Sequence, residues 1–367
     1  MARKLKSDRL LFMTTLLLVA GSIVMVYSAS NVLAAEKYGD PNLFLRKQVL
    51  FAAIGLAAMF AAMRIDYERY RNPRIILTTL GVSLLALAAV LLIGPKINGS
   101  RRWFAIAGVG IQPSEFAKLA LILFTAAVLE RRMERIGDLR YSLGPIGVAL
   151  APIVLLIMLQ PDFGSTVTLI AIIGVMIFAA GLPWRYLALM AAPIVPGLVA
   201  LAVFWPYRMR RLTAFLDPWS DRLGDGYQIV QSLIAVGTGG VAGKGLGYSV
   251  QKLFYLPYPH SDFIFAVLAE ELGLIGALLT VGGFCVVAWR GLKTASHAPD
   301  AFGAFLAVGL TVMIAVQAFV NISVVLSLLP TKGIALPFIS AGGSSLIASL
   351  AGMGVLLNIS QRASATT

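Results

Sequence analysis

Asp262 is a carboxylate whose position in the sequence raises the question of a chemical role. It stands in PHSDF (259–263), where a polar stretch gives way to an apolar run. A carboxylate at such a place can cap a helix, and it can also take a proton from a hydroxyl nucleophile. Inside a membrane a carboxylate is costly, which makes it a candidate for function. Cap and catalyst are therefore both open for Asp262.

Other polar residues also stand where apolar runs begin, and several are cations or small side chains. A helix N-terminus carries free N–H groups and about half a positive charge, so several such ends together favour a phosphate or diphosphate. Each element also has a simpler explanation, since acids are common in first helical turns and Glu115 can merely neutralise Lys118. The candidate binding residues are Arg46, Arg102, Glu115, Lys118, Asp162, His260, Ser261 and Lys332.

The composition is that of a protein embedded in a membrane. Of 367 residues, 59% are hydrophobic and 13% are charged, and the mean hydropathy is +0.86, a balance that soluble domains do not show. The net charge of +13 comes from short basic clusters between apolar runs, which favours membrane orientation over nucleic-acid binding. With one cysteine and two histidines, neither an intrachain disulfide nor a Cys/His metal site is expected.

The hydropathy pattern predicts an all-α polytopic protein of about ten transmembrane helices in one membrane domain, 1–367. The first apolar run is predicted to be a retained span rather than a cleaved signal peptide. Basic clusters alternate so that both termini are expected in the cytoplasm. The predicted spans are 9–28, 44–62, 75–93, 113–130, 143–159, 165–182, 186–205, 261–289, 301–327 and 341–358.

A long loop, 206–260, is predicted on the outer side before the eighth span. Its glycine-rich part, GTGGVAGKGLG (237–247), has neither Walker nor Rossmann spacing, so a flexible hinge is favoured over a phosphate cradle. Glu270 and Glu271 follow two turns below Asp262 and are expected to be structural, with Gln317 and Asn321 as their partners.

Four long motifs resemble the SEDS family, the shape, elongation, division and sporulation proteins that polymerise peptidoglycan glycan strands. The similarity covers nearly the whole chain and is greater to division members than to elongation members. Two positions depart from the family pattern, Tyr258 replacing an acidic residue and Ala341 an aromatic one. The motifs are NGSRRWFAIAGVGIQPSEFAKLA from 98, LQPDFGST from 159, PHSDFIFAVLAEELGLIG from 259 and LPTKGIALPFISAGGSSL from 329.

This resemblance implies a ten-span fold in the bacterial cytoplasmic (inner) membrane, with an active site at the extracytoplasmic surface. It identifies Asp262 as the essential catalytic residue and lipid II as the substrate, a disaccharide-peptide on undecaprenyl diphosphate. It also implies a class B penicillin-binding protein, a transpeptidase, as partner, together with other division proteins. No residue pattern requires a cofactor, although a divalent cation (Mg or Mn) on the diphosphate fits the chemistry.

Three other functions are kept as alternatives. A lipid II flippase or transporter would also place polar groups in a helical bundle, but it would need a polar path across the bilayer. An elongation-type polymerase would use the same chemistry at another place in the cell. A non-catalytic scaffold would tolerate substitutions of Asp262.

Overall fold

The computed structural model describes residues 7–97, 99–106, 109–186, 188–189, 192, 214–331 and 333–363. A short antiparallel hairpin, β1 (Phe104–Ile106) and β2 (Val109–Ile111), pairs Phe104 with Ile111. Two 3-10 helices lie at Tyr67–Arg71 and Met133–Arg135. The main helices are α1 (Arg9–Tyr38), α2 (Leu43–Arg64), α3 (Pro73–Ile93), α4 (Pro113–Arg132), α5 (Leu139–Leu159), α6 (Phe163–Ala179), α7 (Tyr227–Gly239), α8 (Ile264–Ser296), α9 (Ala301–Val325) and α10 (Gly343–Ala363).

The prediction of an all-α polytopic membrane protein is confirmed. Seven described helices (α1, α2, α3, α5, α8, α9 and α10) are long and apolar enough to span a membrane. Helix α6 is apolar but has 17 residues, and α4 carries Glu115 and Lys118 in its first two turns. The predicted number of ten remains a prediction, and its seventh span, 186–205, lies mostly outside the described residues.

Several helices have arginines near the end that lies away from the starts of α4, α8 and α10, and this end of the bundle is called the basic end. Its arginines include Arg64, Arg132, Arg290 and Arg362. Helix α1 belongs to the bundle there, because Asp8 caps it through Leu11 N and pairs with Arg290 Nε at 2.6 Å. Burial, followed by the hydrogen bond to Asp300, raises the pKa of the buried Tyr67 hydroxyl well above its ordinary value. The further contacts that fasten this end are Arg71–Glu130, Arg362–Asp66 and Tyr67–Asp300.

Helix α8 is broken at Gly273, and the glycine-rich stretch fills the break. Gly273 has φ 65° and ψ −163°, a backbone conformation that residues other than glycine rarely adopt. The N–H groups of Lys244 and Gly245 donate to Glu270 O and Glu271 O, each at 3.0 Å. Below the break, Leu274 N donates to the carbonyl of Gly240 at 2.9 Å. The loop thus satisfies backbone groups that a broken helix leaves unpaired inside a membrane.

The expectation that 237–247 is a flexible hinge is therefore wrong. A Cβ at Gly239 would lie 2.0 Å from Ala269 O, and one at Gly243 would lie 2.1 Å from Glu271 O. These glycines permit close backbone approach rather than movement. Helix α7, which leads into the stretch, packs against α8 and α9, and Ser232 Oγ donates to Val325 O at 2.8 Å. Part of the predicted outer loop is thus packed inside the bundle.

Two fully buried acids lie at this break and form the glutamate cluster with their partners. Glu270 pairs with Lys244 at 2.7 Å, and Glu271 pairs with Lys252 at 2.8 Å. The predicted structural role agrees with this packing, but the predicted partners, Gln317 and Asn321, were wrong because the loop reaches the glutamates first. The remaining members are Ser249, which donates to Glu270, and Ser28 of α1, which donates to Glu271.

Candidate functional site

A cavity of about 820 Å³ opens at the end of the bundle opposite the basic end and is called the outer cavity. The starts of α4, α6, α8 and α10 all reach it, together with the middle of α9 and the loop before β1. Four helix N-termini therefore direct partial positive charge toward one space. The predicted site residues among its lining are Arg102, Glu115, Lys118, Ser261 and Asp262.

Asp262 is positioned by a backbone clamp just before α8. The carbonyl of Asp262 accepts a hydrogen bond from Asn321 Nδ2 at 2.8 Å, and that of Ser261 accepts one from Ser340 Oγ at 2.6 Å. The carbonyl of His260 accepts from Ala341 N at 2.9 Å. A Cβ at Gly333 would lie 3.0 Å from Asp262 Oδ2, so the glycine allows the chain to pass close to the carboxylate. These contacts fix the backbone around Asp262, and the residue lines the cavity.

Glu115 and Lys118 form an ion pair in the cavity wall. Lys118 Nζ lies 2.8 Å from Glu115 Oε1, and the residues are 2% and 8% exposed. Their separation of three places them on one face of α4, where Pro113 begins the helix. Both residues line the outer cavity, so an anion bound there would lie beside the Lys118 ammonium.

Arg102 and Asp162 connect elements around the cavity. Arg102 donates from Nε to Gln160 O at 2.8 Å, bonding a carbonyl at the C-terminal end of α5. Asp162 is 4% exposed and caps α6 by accepting from Ser165 N at 3.0 Å. Its second oxygen accepts from Gln112 Nε2 at 3.1 Å. Asp162 thus lies behind the lining and fastens α6 to α4, while Arg102 borders the space itself.

Two predicted binding residues, Arg46 and His260, do not line the outer cavity. Arg46 lies on α2 with its side chain 72% exposed, pairs with Asp40 at 3.3 Å, and is absent from the lining. The ring of His260 packs on Phe44 with centroids 4.4 Å apart, and burial lowers its pKa to about 4. His260 is therefore neutral at pH 7 and does not supply a cation. Lys332 lies outside the described residues.

Several lining residues were not predicted to bind substrate. Gln317 of α9 is 2% exposed, and its Oε1 is buried without a hydrogen-bond partner among the described residues. Its place in an apolar run had suggested a partner for the glutamates. Gln112 and Ser345 stand in the quoted motifs beside the predicted helix starts, which is a usable signal. Both positions that depart from the family pattern, Tyr258 and Ala341, also line the cavity.

The comparisons with known proteins agree with this architecture. A family model described as cell cycle protein, for FtsW, RodA and SpoVE, matches residues 8–365. Stage V sporulation protein E of Bacillus subtilis is 46% identical over 98% of both chains, and a probable peptidoglycan glycosyltransferase FtsW of Geobacter sp. is 44% identical over 97% of both. Two solved structures also align over nearly the full length of both chains. One describes the coordination of polymerization and crosslinking by a peptidoglycan synthase complex (TM-score 0.80, 31% identity, 98% of this chain and 99% of that chain), and the other is Thermus thermophilus RodA (TM-score 0.71, 30% identity, 98% of both).

Proposed function

The chain belongs to the FtsW/RodA/SpoVE family, and from this premise we propose that it polymerises lipid II into glycan strands at the outer cavity. The prediction of a peptidoglycan glycosyltransferase is confirmed by relatives with that name at 42% to 44% identity. The proposal adds the substrate, the side of the membrane on which the reaction takes place, and the residues that act as base and bind the diphosphate.

In the proposed reaction, Asp262 takes the proton from the 4-hydroxyl of the acceptor's N-acetylglucosamine. The oxygen then attacks the anomeric carbon of the donor's N-acetylmuramic acid, and the bond from that carbon to the lipid diphosphate breaks. Attack opposite the leaving group inverts the anomeric centre and gives a β-1,4 linkage. A positioned base typically contributes about 10²–10⁴-fold to such a step.

The departing diphosphate needs positive charge at the place where its negative charge increases. Lys118 and Arg102 supply two cations at the outer cavity, and the starts of four helices supply oriented N–H groups. Lys332 remains a proposed third cation, since its neighbours Thr331 and Gly333 line the same space. Arg46, paired away from the cavity, is no longer proposed to contact the diphosphate.

A divalent cation at the outer cavity would have few protein ligands among the described residues. Among the described residues no group of three or more His, Cys, Asp or Glu side chains could hold a metal ion, and Glu115 is engaged by Lys118. Asp262 would hold such an ion, Mg or Mn, and the ion would neutralise negative charge on the substrate's phosphates.

One observation carries the proposal: Asp262, Lys118 and the starts of α4, α6, α8 and α10 border one cavity. We propose that this cavity opens on the extracytoplasmic side of the bacterial inner membrane, because the clusters of Arg and Lys lie at the opposite end. A class B penicillin-binding protein is the proposed partner, supported by the similarity to a chain of a peptidoglycan synthase complex.

The test is polymerisation of lipid II by purified protein, with and without the cognate transpeptidase. Wild-type protein is expected to give glycan polymer, and Asp262→Asn is expected to give none while retaining its melting temperature. Full activity of Asp262→Asn would remove Asp262 as the base. Retained polymerisation without a transpeptidase would show that the partner is not required.

Two alternatives remain distinguishable. In sealed vesicles a flippase would move lipid II across the bilayer without forming polymer; the glutamate cluster argues against such a path, because its acids bond to Lys and Ser in the bundle interior. A septal role in cell division is proposed over elongation, since many relatives are named FtsW. Fluorescent fusions that follow the side wall instead of the septum would favour the elongation alternative.

A further inference from the structure

A second cavity, of about 540 Å³, lies at the basic end, between the start of α1 and the ends of α8 and α10. It is here called the basic cavity, and it is far from the outer cavity along the same helices. Its polar lining includes Asp8, Arg9, Arg290, Lys293 and His297. The glycosyl transfer proposed above uses none of these residues.

The charges in the basic cavity do not cancel. Asp8 is fully used, because one oxygen accepts from Leu11 N at 3.0 Å and the other binds Arg290 at 2.6 Å. Arg9 and Lys293 are exposed and form no ion pair with any described residue. Three cations therefore meet one carboxylate, and two positive charges remain around a concave surface.

This differs from the other contacts at the basic end. Arg71 is paired with Glu130 at 2.8 Å, and Arg362 is paired with Asp66. At the basic cavity the unpaired cations lie where three helix ends form a concave surface, which is the arrangement expected for a phosphate group.

Adjacent apolar surface indicates that the phosphate belongs to a lipid. Leu10, Met13 and Leu17 follow one exposed face of α1, 47%, 58% and 72% exposed, from the cavity toward the bundle's middle. Trp289 is 58% exposed next to the cavity, with Arg290 5.4 Å from its ring centroid. Tryptophan at this position is typical of the membrane interface. The exposed face formed by Leu10, Met13 and Leu17 is called the α1 stripe. A lipid whose headgroup lies in the cavity would place an acyl chain along it.

We propose that the basic cavity binds the phosphate headgroup of an anionic phospholipid of the cytoplasmic leaflet. Arg9 and Lys293 contact the phosphate, Arg290 supports it from its pair with Asp8, and the α1 stripe contacts one acyl chain. This site stabilises the junction of α1, α8 and α10.

The experiment titrates purified full-length protein in a zwitterionic detergent with dioleoyl phosphatidylglycerol, and binding is read by native mass spectrometry and by melting temperature. The double variant Arg9→Gln/Lys293→Gln is compared with Arg69→Gln/Arg74→Gln, which removes two exposed cations of the same end outside the cavity. Each basic residue near an anionic lipid is worth roughly fivefold in affinity. The first pair is expected to weaken binding by about 30-fold, and the control by less than about twofold.

Three results would overturn the proposal. One is equal binding of phosphatidylglycerol and phosphatidylcholine by the wild type; another is equal loss in the two double variants, which would indicate diffuse surface charge. The third is equal stabilisation by glycerol 3-phosphate, which would indicate a soluble phosphate. Asp262→Asn is expected to keep the lipid effect, so failure of the catalytic proposal would leave this one standing.

Discussion

The wall of the outer cavity and the glutamate cluster both pair buried acids with lysines, but they differ in what surrounds each pair. In the cluster, Glu270 accepts hydrogen bonds from Lys244, Ser249 and two backbone N–H groups. In the cavity wall, Glu115 and Lys118 face a void, and Gln317 Oε1 has no partner among the described residues.

The same two residue types, Glu and Lys, are therefore proposed to have different roles in the two regions. The role is structural in the glutamate cluster and chemical in the cavity wall. Buried ions are stable when every polar atom is satisfied, and the cluster achieves this with loop atoms. The cavity leaves bonding capacity for a ligand, at some expense in stability. Substitutions should therefore affect stability in the first region and substrate use in the second.

The largest expected effect is on stability, from Glu271→Gln. The change leaves the Lys252 ammonium, 4% exposed, without its carboxylate. Breaking a buried pair in this way costs about 3–5 kcal/mol, so the melting temperature in detergent should fall sharply. The double variant Lys252→Met/Glu271→Met removes both charges and should recover much of the loss. An unchanged melting temperature in Glu271→Gln would contradict the structural role of the cluster.

Lys118→Met should affect polymerisation more than stability. Removing a cation that faces developing charge costs about 10²-fold in rate, whereas Glu115 can be hydrated by the cavity. Initial rates at several lipid II concentrations, measured beside thermal melts, check this. Lys244→Met is the matched control, since its lysine is paired with Glu270 and should mainly lower the melting temperature. Parallel losses of rate and stability in Lys118→Met would favour mere pairing with Glu115.

Gly243→Ala should destabilise the break in α8 by about 1–3 kcal/mol. Its Cβ would lie 2.1 Å from the carbonyl oxygen of Glu271. Gly247→Ala is the control, because Gly247 has a similar φ of +87° but open space around its Cβ position. The difference between the two melting temperatures isolates the close contact from the backbone cost. Equal melting temperatures would mean that the loop can move away from α8.

The smallest effect should come from His260 and depend on pH. Burial lowers its pKa from 6.5 to about 4, so the unfolded chain binds the extra proton between these values. The stability contribution is present above pH 6.5 and is lost as pH falls toward 4. His260→Phe keeps a ring against Phe44 and should flatten this part of the melting curve against pH. Superimposable wild-type and variant profiles would refute it.

The sequence predicted which helix starts lie at the same end of the bundle as the candidate site. Alternating spans bring the starts of α4, α6, α8 and α10 to one end, so Lys118 and Asp262 could be expected near each other. It did not predict which side of a helix a residue occupies. Arg46 has the right type at the right end, but on α2 it pairs with Asp40 instead.

The sequence predicted the helices whose apolar runs are long enough to span a membrane. It did not predict features that depend on contacts between residues far apart in the chain. Helix α1 continues to Tyr38, ten residues beyond the prediction, through Asn31 and Glu36. The packed loop was missed because glycines that permit contact look, in sequence, like glycines that permit movement. Lys244 and Lys252 fell within the predicted outer loop, and nothing in the local sequence shows that they pair with Glu270 and Glu271.

The break at Gly273 also imposes an order on assembly. Residues 239–252, which form hydrogen bonds with the broken part of α8, are synthesised before α8. Ser28, which donates to Glu271, is synthesised earlier still. The two acids of α8 are therefore synthesised after both of their lysine partners. Their joint arrival adds no net charge to the interior, so the insertion of α8 and the docking of the loop are expected to be a single event.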